Sequence, residues 1–245
     1  LELLSDFGAE CIIEVIEFTC GDSMHYYDFD YATVQIGDQC WFAENLRTEH
    51  YANGDEITSN LSDELWDSTT IGAVTVYGEG ELSCINWSPI GDACDEDWAL
   101  DEYGRLYNWY AVEDERGLCP SGWHVPTDED WMTLEMELGM TEFEVNEEGY
   151  RGTDEGAKMK TDLGWYEGGN GTNSSGFSGL PGGYRCEDWF IPICGASFSW
   201  SGRSTVWWSS SSTWYRQLNG DVDTVIRNQT GYNFGNSIRC LKDSE

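Results

Sequence analysis

The sequence predicts an α+β fold: short strands and many turns around a short amphipathic helix, with a strand-like extension in front. Three observations predict it. The chain carries 13 Trp, 13 Tyr and 28 Gly in 245 residues, a mixture suited to strands, turns and large aromatic wedges. One stretch, TDEDWMTLEMELG (127–139), has helical periodicity and both helix-end signals. Nine cysteines, with no C-x-x-C pair and only three histidines beside them, point to disulfides in an oxidising, extracytoplasmic setting rather than to a zinc site. A hydrophobic share of 40% supplies a core, and the length suits one large domain or two small ones.

Residues 1–30 form the extension. An apolar, β-branched run from Cys11 to Phe18 turns polar at Gly21-Asp22 and reads as one or two strands ahead of a main domain at 31–245. Cys11 and Cys20 are placed to staple it as a hairpin, which leaves Cys40 as a free or intermolecular thiol. In TVQIGDQCWFAENLR (33–47), Val34, Ile36 and Trp41 alternate about Gly37-Asp38, a short hairpin. Residues 53–102 are irregular, with a strand in AVTVYGEG (73–80) and a loop closed by Cys84 and Cys94, paired by proximity. YGRLYNWYAV (103–112) is an aromatic strand or the start of a helix. Thr127 is the N-cap of the clear helix, with Asp130 three positions on. Its first-turn acids suit the helix dipole. Trp131, Leu134 and Leu138 share one face, and Gly139 ends it. The stretch 168–185 holds seven glycines and must be a long, shaped loop. Cys186 and Cys194 lie close enough to pair, residues 198–218 alternate as two strands, and 231–243 reads as a last strand ending at Cys240.

The formal charge of −34 sets the chain against nucleic acid and anionic membranes, and no apolar run approaches the ~18 residues of a membrane span. The chain begins at Leu1 rather than Met, the pattern of a processed or trimmed product. Its acidity reads either as a solvated surface or as a cation-binding one. Ca²⁺ is the candidate ion, and Asp92, Asp95, Glu96 and Asp97 are the densest ligand set. That set lacks the spacing of a known calcium loop.

The motifs TVQIGDQCWFAENLR, YGRLYNWYAV, CPSGWHVPTDEDWMTLE, GFSGLPGGYR, WWSSS and SIRCLKD occur in that order. The series resembles the Fibrobacter succinogenes major paralogous domain from about Tyr31 to Asp243, and more distantly the C-type-lectin-like group with its formylglycine-generating members. The resemblance implies a compact lectin-like α+β fold with one or two helices and twisted antiparallel strands. It also implies a bacterial protein that is secreted or attached to the surface, and it implies no defined activity. It makes Cys119 and Cys240 a long-range disulfide, a closure of roughly 4–5 kcal/mol on the chain-entropy model. The first thirty residues lie outside the pattern, Cys40 stands where the family has an aliphatic residue, and CEDWFIPIC (186–194) looks private to this chain.

Three functional classes follow. A Cys119/His124 nucleophile pair needs a free thiolate, which the disulfide removes, and no other cysteine matches the formylglycine-generating site. A hydrogen-bonded structural role suits His124 better than a ligand role. We therefore expect no enzyme and no required cofactor. Calcium-dependent sugar binding lacks its Glu-Pro-Asn, Gln-Pro-Asp and Trp-Asn-Asp strings, but Trp200, Trp207, Trp208 and Trp214 are candidates for calcium-independent stacking on glycans, unless they are core wedges. The third class is an adhesive or structural protein that self-associates through its N-terminal strand by β-augmentation, unless that strand pairs within its own chain. This class leads the expectation, as a filament-forming secreted subunit. Ser23, Ser68 and Thr224 sit in short Asp-Ser/Thr strings resembling a bacterial O-glycosylation signal.

Overall fold

The computed structural model describes residues 18–80, 82–187 and 194–244. Hairpin β1 (Met24–Tyr26) and β2 (Phe29–Tyr31) leads into a second hairpin, β3 (Thr33–Ile36) and β4 (Gln39–Phe42). Gly37, at φ +57°, makes the two-residue turn between them. Next come α1 (Asp63–Ser68), β5 (Val74–Val76), β6 (Cys84–Asn86), α2 (Glu96–Tyr103), β7 (Arg105–Tyr107) and α3 (Trp109–Val112). The middle of the chain gives β8 (Trp123–His124), α4 (Asp128–Leu138), α5 (Glu142–Asn146), β9 (Gly149–Arg151) and α6 (Glu155–Met159). Strands finish it: β10 (Gly182–Arg185), β11 (Phe198–Ser201), β12 (Ser204–Trp208), β13 (Trp214–Asn219), β14 (Val225–Gln229) and β15 (Leu241–Lys242). The architecture is mixed α+β, with mostly strands and six short helices among the described residues.

Local chemistry explains the helices. In α4, the Thr127 hydroxyl accepts the Asp130 amide and the Asp130 carboxylate accepts the Thr127 amide, a complete capping box, and Gly139 closes the far end. Thr141 and Glu144 repeat the box on α5, while Asp95 and Asn108 cap α2 and α3. The stretch 103–112 becomes a strand and then a helix, divided by the Asn108 cap.

A seven-stranded sheet ordered β6-β11-β10-β12-β13-β14-β9 stands beside a four-stranded sheet ordered β3-β4-β15-β8. Residues 198–218, expected as two strands, make three, because Gly202 at φ +79° turns β11 into β12. The expected last strand is shorter and later: β15 follows Cys240. Before it, Gly235, Asn236 and Ser237 bridge three different segments, at Arg185, Tyr107 and Trp207, and so cannot extend one ladder.

Apolar clusters cover both faces of the larger sheet. Trp207 joins Trp131, Leu134 and Phe177 on one side; Trp208 joins Tyr107, Trp109 and Phe234 on the other. The first side also buries an ion cluster. Glu135 receives Arg151 at 2.7 and 2.8 Å and Arg216 Nε at 2.6 Å, while Asp128 receives Arg216 Nη1 at 2.7 Å and Arg227 Nη2 at 2.6 Å. Arg239 is different. It is fully buried and hydrogen bonds to uncharged groups: its Nε donates to Asn45 Oδ1 at 2.9 Å, Nη2 to Ser178 O at 2.9 Å, and Nη1 to Phe42 O and Phe177 O. Burial pulls its pKa down to about 9, so it stays charged at neutral pH. Two carbonyls of the glycine-rich loop thus clamp to the last turn of chain before β15, which gives that loop its shape.

Disulfides join Cys84 to Cys94, Cys119 to Cys240 and Cys186 to Cys194. The fourth corrects an expectation: Cys20 bonds Cys40, not Cys11. The β1–β2 hairpin folds back so that Tyr31 stacks on Phe42 at 4.7 Å, and this brings Cys20 to β4. Cys40 is therefore not a free thiol, and Cys11 lies outside the described residues. Residues 18–30, assigned from the sequence to the extension, include a hairpin packed on the core of the main domain.

Candidate functional site

Strands β8 and β15 pair antiparallel, with His124 opposite Leu241. That register sets His124 between the last residues of the chain and the first turn of α4. Its Nδ1 lies 2.6 Å from Asp243 Oδ1 and its Nε2 lies 3.2 Å from Asp130 Oδ2. The same Asp130 oxygen accepts the Thr127 amide at 2.8 Å and the Thr127 hydroxyl at 2.7 Å, so one carboxylate caps the helix and holds the imidazole. The bond to Asp130 raises the His124 pKa most; burial opposes it, and Asp243 adds to the rise. Burial pushes Asp130 up, but His124 and Thr127 outweigh it and hold the carboxyl below its usual range. Both ring nitrogens are committed, so His124 serves as a clasp between the chain end and α4 rather than as a ligand or a base.

The clasp forms one wall of an open hollow of about 490 Å³. Gln39, Lys242, the Cys20–Cys40 disulfide and Phe18 complete it. Phe18, the first described residue, packs edge-on against Trp123 at 5.6 Å, so residues 1–17 join the domain at the rim of this hollow. Gln35 and Gln39, from β3 and β4, also line the hollow, and among the described residues β3 stands at the edge of its sheet, paired only with β4.

The other sequence candidates fall elsewhere. Trp207 and Trp208 are 0% exposed, so they are not available to stack on a glycan. β12 runs through the middle of a sheet covered on both faces, which buries either side of its alternation. Their indole nitrogens donate inward, to Asn45 Oδ1 at 2.8 Å and Tyr107 O at 2.7 Å. Trp200 and Trp214 are partly exposed, and the Arg227 guanidinium sits 3.7 Å over the Trp214 ring. Of the calcium candidates, Asp92 accepts the Cys94 amide, Asp95 caps α2, and Glu96 accepts the Gly80 amide. Asp97 is exposed in the first turn of α2. Among the described residues, no three His, Cys, Asp or Glu side chains converge on one metal position. Cys119 lies in a disulfide and is no nucleophile. Ser23 and Ser68 are exposed, whereas the Thr224 hydroxyl is sealed from solvent, which corrects the reading of Thr224 as a glycosylation site.

The clasp escaped sequence reasoning because Asp243 lies 119 residues from His124, and only the β8–β15 register joins them. The Thr127–Asp130 half was visible as a capping box.

The family model for the Fibrobacter succinogenes major domain matches residues 34–242 of the chain. No curated protein and no solved structure matches it. The chain belongs to the Fibrobacter succinogenes major domain family.

Proposed function

We propose that the domain is a non-catalytic structural and adhesive module, secreted or held at the bacterial cell surface, and a subunit of a self-assembling extracellular fibre. One observation carries the reading: the edge strand β3, the hollow beside it and the entry point of residues 1–17 meet in one place. A strand extra to one copy adds to an open sheet edge of the next through main-chain hydrogen bonds. The cysteine arithmetic agrees. Eight cysteines pair among themselves, so no cysteine of this chain remains for Cys11, and a bond from it to another copy would lock the contact. Four disulfides fit an oxidising exterior, and among the described residues no helix is long and apolar enough to cross a membrane. The C-type-lectin-like placement belongs to the same proposal. It is supported by the Cys119–Cys240 bond, which ties the helix region to the last strand across 121 residues.

A net charge of −34 opposes self-association, so assembly should grow as salt or divalent cations screen it. The test is gel filtration and negative-stain microscopy of the full chain and of a chain lacking residues 1–17, across salt and with and without chelator. We expect multimers or filaments from the full chain and monomers from the shortened one. A monodisperse full-length monomer under every condition contradicts the reading. A second reading, calcium-independent glycan binding, is favoured by a groove on the larger sheet. The formylglycine-type enzyme has no observation in its favour.

A further inference from the structure

β13 alternates strictly. Arg216 and Leu218 point to the ion cluster and its apolar neighbours, while Tyr215 and Gln217 point the other way. There, over β10, β12, β13 and the end of β14, lies a second hollow of about 440 Å³. Val206 and Phe234 form its buried floor, and Tyr184, Tyr215, Gln217 and Gln229 surround them. The chain has 46 acidic residues, yet none of the nine residues lining this groove is charged. Burial raises both tyrosine pKa values, so at neutral pH the rings carry intact hydroxyls.

The groove holds an unanswered donor. Asn236 is 1% exposed and lines it, yet among the described residues its Nδ2 has no hydrogen-bond partner. A buried amide left without a partner is a cost to the fold, and an acceptor in the groove can answer it once the groove wall shifts to uncover the nitrogen. Gln217 Nε2 donates to Ser204 Oγ at 2.8 Å, which leaves its carbonyl for the groove.

We propose that this groove is a binding site for an uncharged oligosaccharide, taken without calcium, with the sugar ring against Tyr184 and Tyr215 and an acceptor on Asn236. A neutral lining suits a neutral ligand, because it offers no partner to a charge. Aromatic faces set among amides and hydroxyls match a ring that is apolar on its faces and polar around its rim. An extended peptide fits less well: the groove lies over inner strands whose main-chain groups are already paired, and strand addition needs an edge. A purely apolar ligand would leave the Asn236 amide unanswered. This site sits on a different sheet from the N-terminal hollow, so its failure leaves the assembly reading standing.

The test is calorimetric titration of the full chain, in EDTA, with uncharged hexasaccharides of β-linked glucose, xylose and mannose, and with oligogalacturonate as the charged control. We expect saturable binding of at least one uncharged sugar, with a Kd of about millimolar or tighter. Oligogalacturonate should bind roughly tenfold more weakly, because the protein is strongly acidic. Tyr215→Ala or Gln229→Ala should weaken the best ligand roughly tenfold. Gln229 is exposed, so its variant retains the fold if Tyr215→Ala does not, and the thermal transition checks both. No saturable binding of any uncharged hexasaccharide overturns the proposal, as does binding that neither substitution weakens.

Discussion

The two faces of β13 treat polarity in opposite ways. On one, Arg216 is buried with its charge fully answered by Glu135 and Asp128. On the other, Tyr215 and Gln217 line a neutral hollow that ends at an amide with no partner. The charged face is the structural one, its guanidiniums and carboxylates answering one another in a sealed cluster, and the uncharged face lines an open hollow. A buried charge must be neutralised within the fold, whereas a neutral amide can wait for a ligand at modest cost. The two hollows differ as well: beside the N-terminal segment, Asp130 and Asp243 are tied together through His124.

The sharpest way to break this contrast is Glu135→Leu. It leaves Arg151 and Arg216 facing each other without their carboxylate, and we expect a loss of roughly 3–5 kcal/mol in chemical denaturation. A loss under about 1 kcal/mol would show that the cluster is not structural. Acid should attack the same face. Burial pushes Asp128 up, but Arg227 and Arg216 outweigh it and hold its pKa down. Its contribution is therefore present above the ordinary carboxylate range near ~3.9 and lost as pH falls through the lowered value. Stability measured from pH 6 to 2 should drop more steeply for the native chain than for Asp128→Asn.

Smaller effects belong to the clasp. Asp130→Ala removes the cap partner of α4 and one anchor of His124, and should cost about 1 kcal/mol. Because the folded His124 pKa is raised, its contribution is complete below ~6.5 and fades as pH rises through the folded value. A His124→Gln chain should show a flatter stability profile across that alkaline side. The smallest effects belong to the groove: Tyr215→Phe and Gln229→Ala should stay within about 0.5 kcal/mol of the native chain.

The sequence made the α4 helix, the β3–β4 hairpin and three disulfide pairs legible, because each rests on local spacing or on an ordered family motif. Of the six helices among the described residues, four were not announced and α3 only as an alternative to a strand, since stretches of 4–8 residues are too short to show a helical period. The choice for Trp207 and Trp208 between glycan stacking and core wedges fell to core wedges, and alternation could not decide it for a physical reason: it tells which residues share a face, not whether the opposite face is also covered. The Cys20–Cys40 bond needed the fold-back of the first hairpin. The groove was half legible, in the alternation of WYRQL, but Asn236 reaches it only through the irregular passage before Cys240.

The central claim is that the groove keeps an uncommitted amide at the expense of the fold, and Asn236→Leu tests it most directly. Leucine keeps the branched outline without the polar group, and the hollow beside position 236 has room for its bulkier methyls, so the denaturation free energy should be unchanged or higher than that of the native chain. A fall of more than about 1 kcal/mol would mean that the Asn236 side chain is already satisfied by the protein, and that the groove holds nothing in reserve for a ligand.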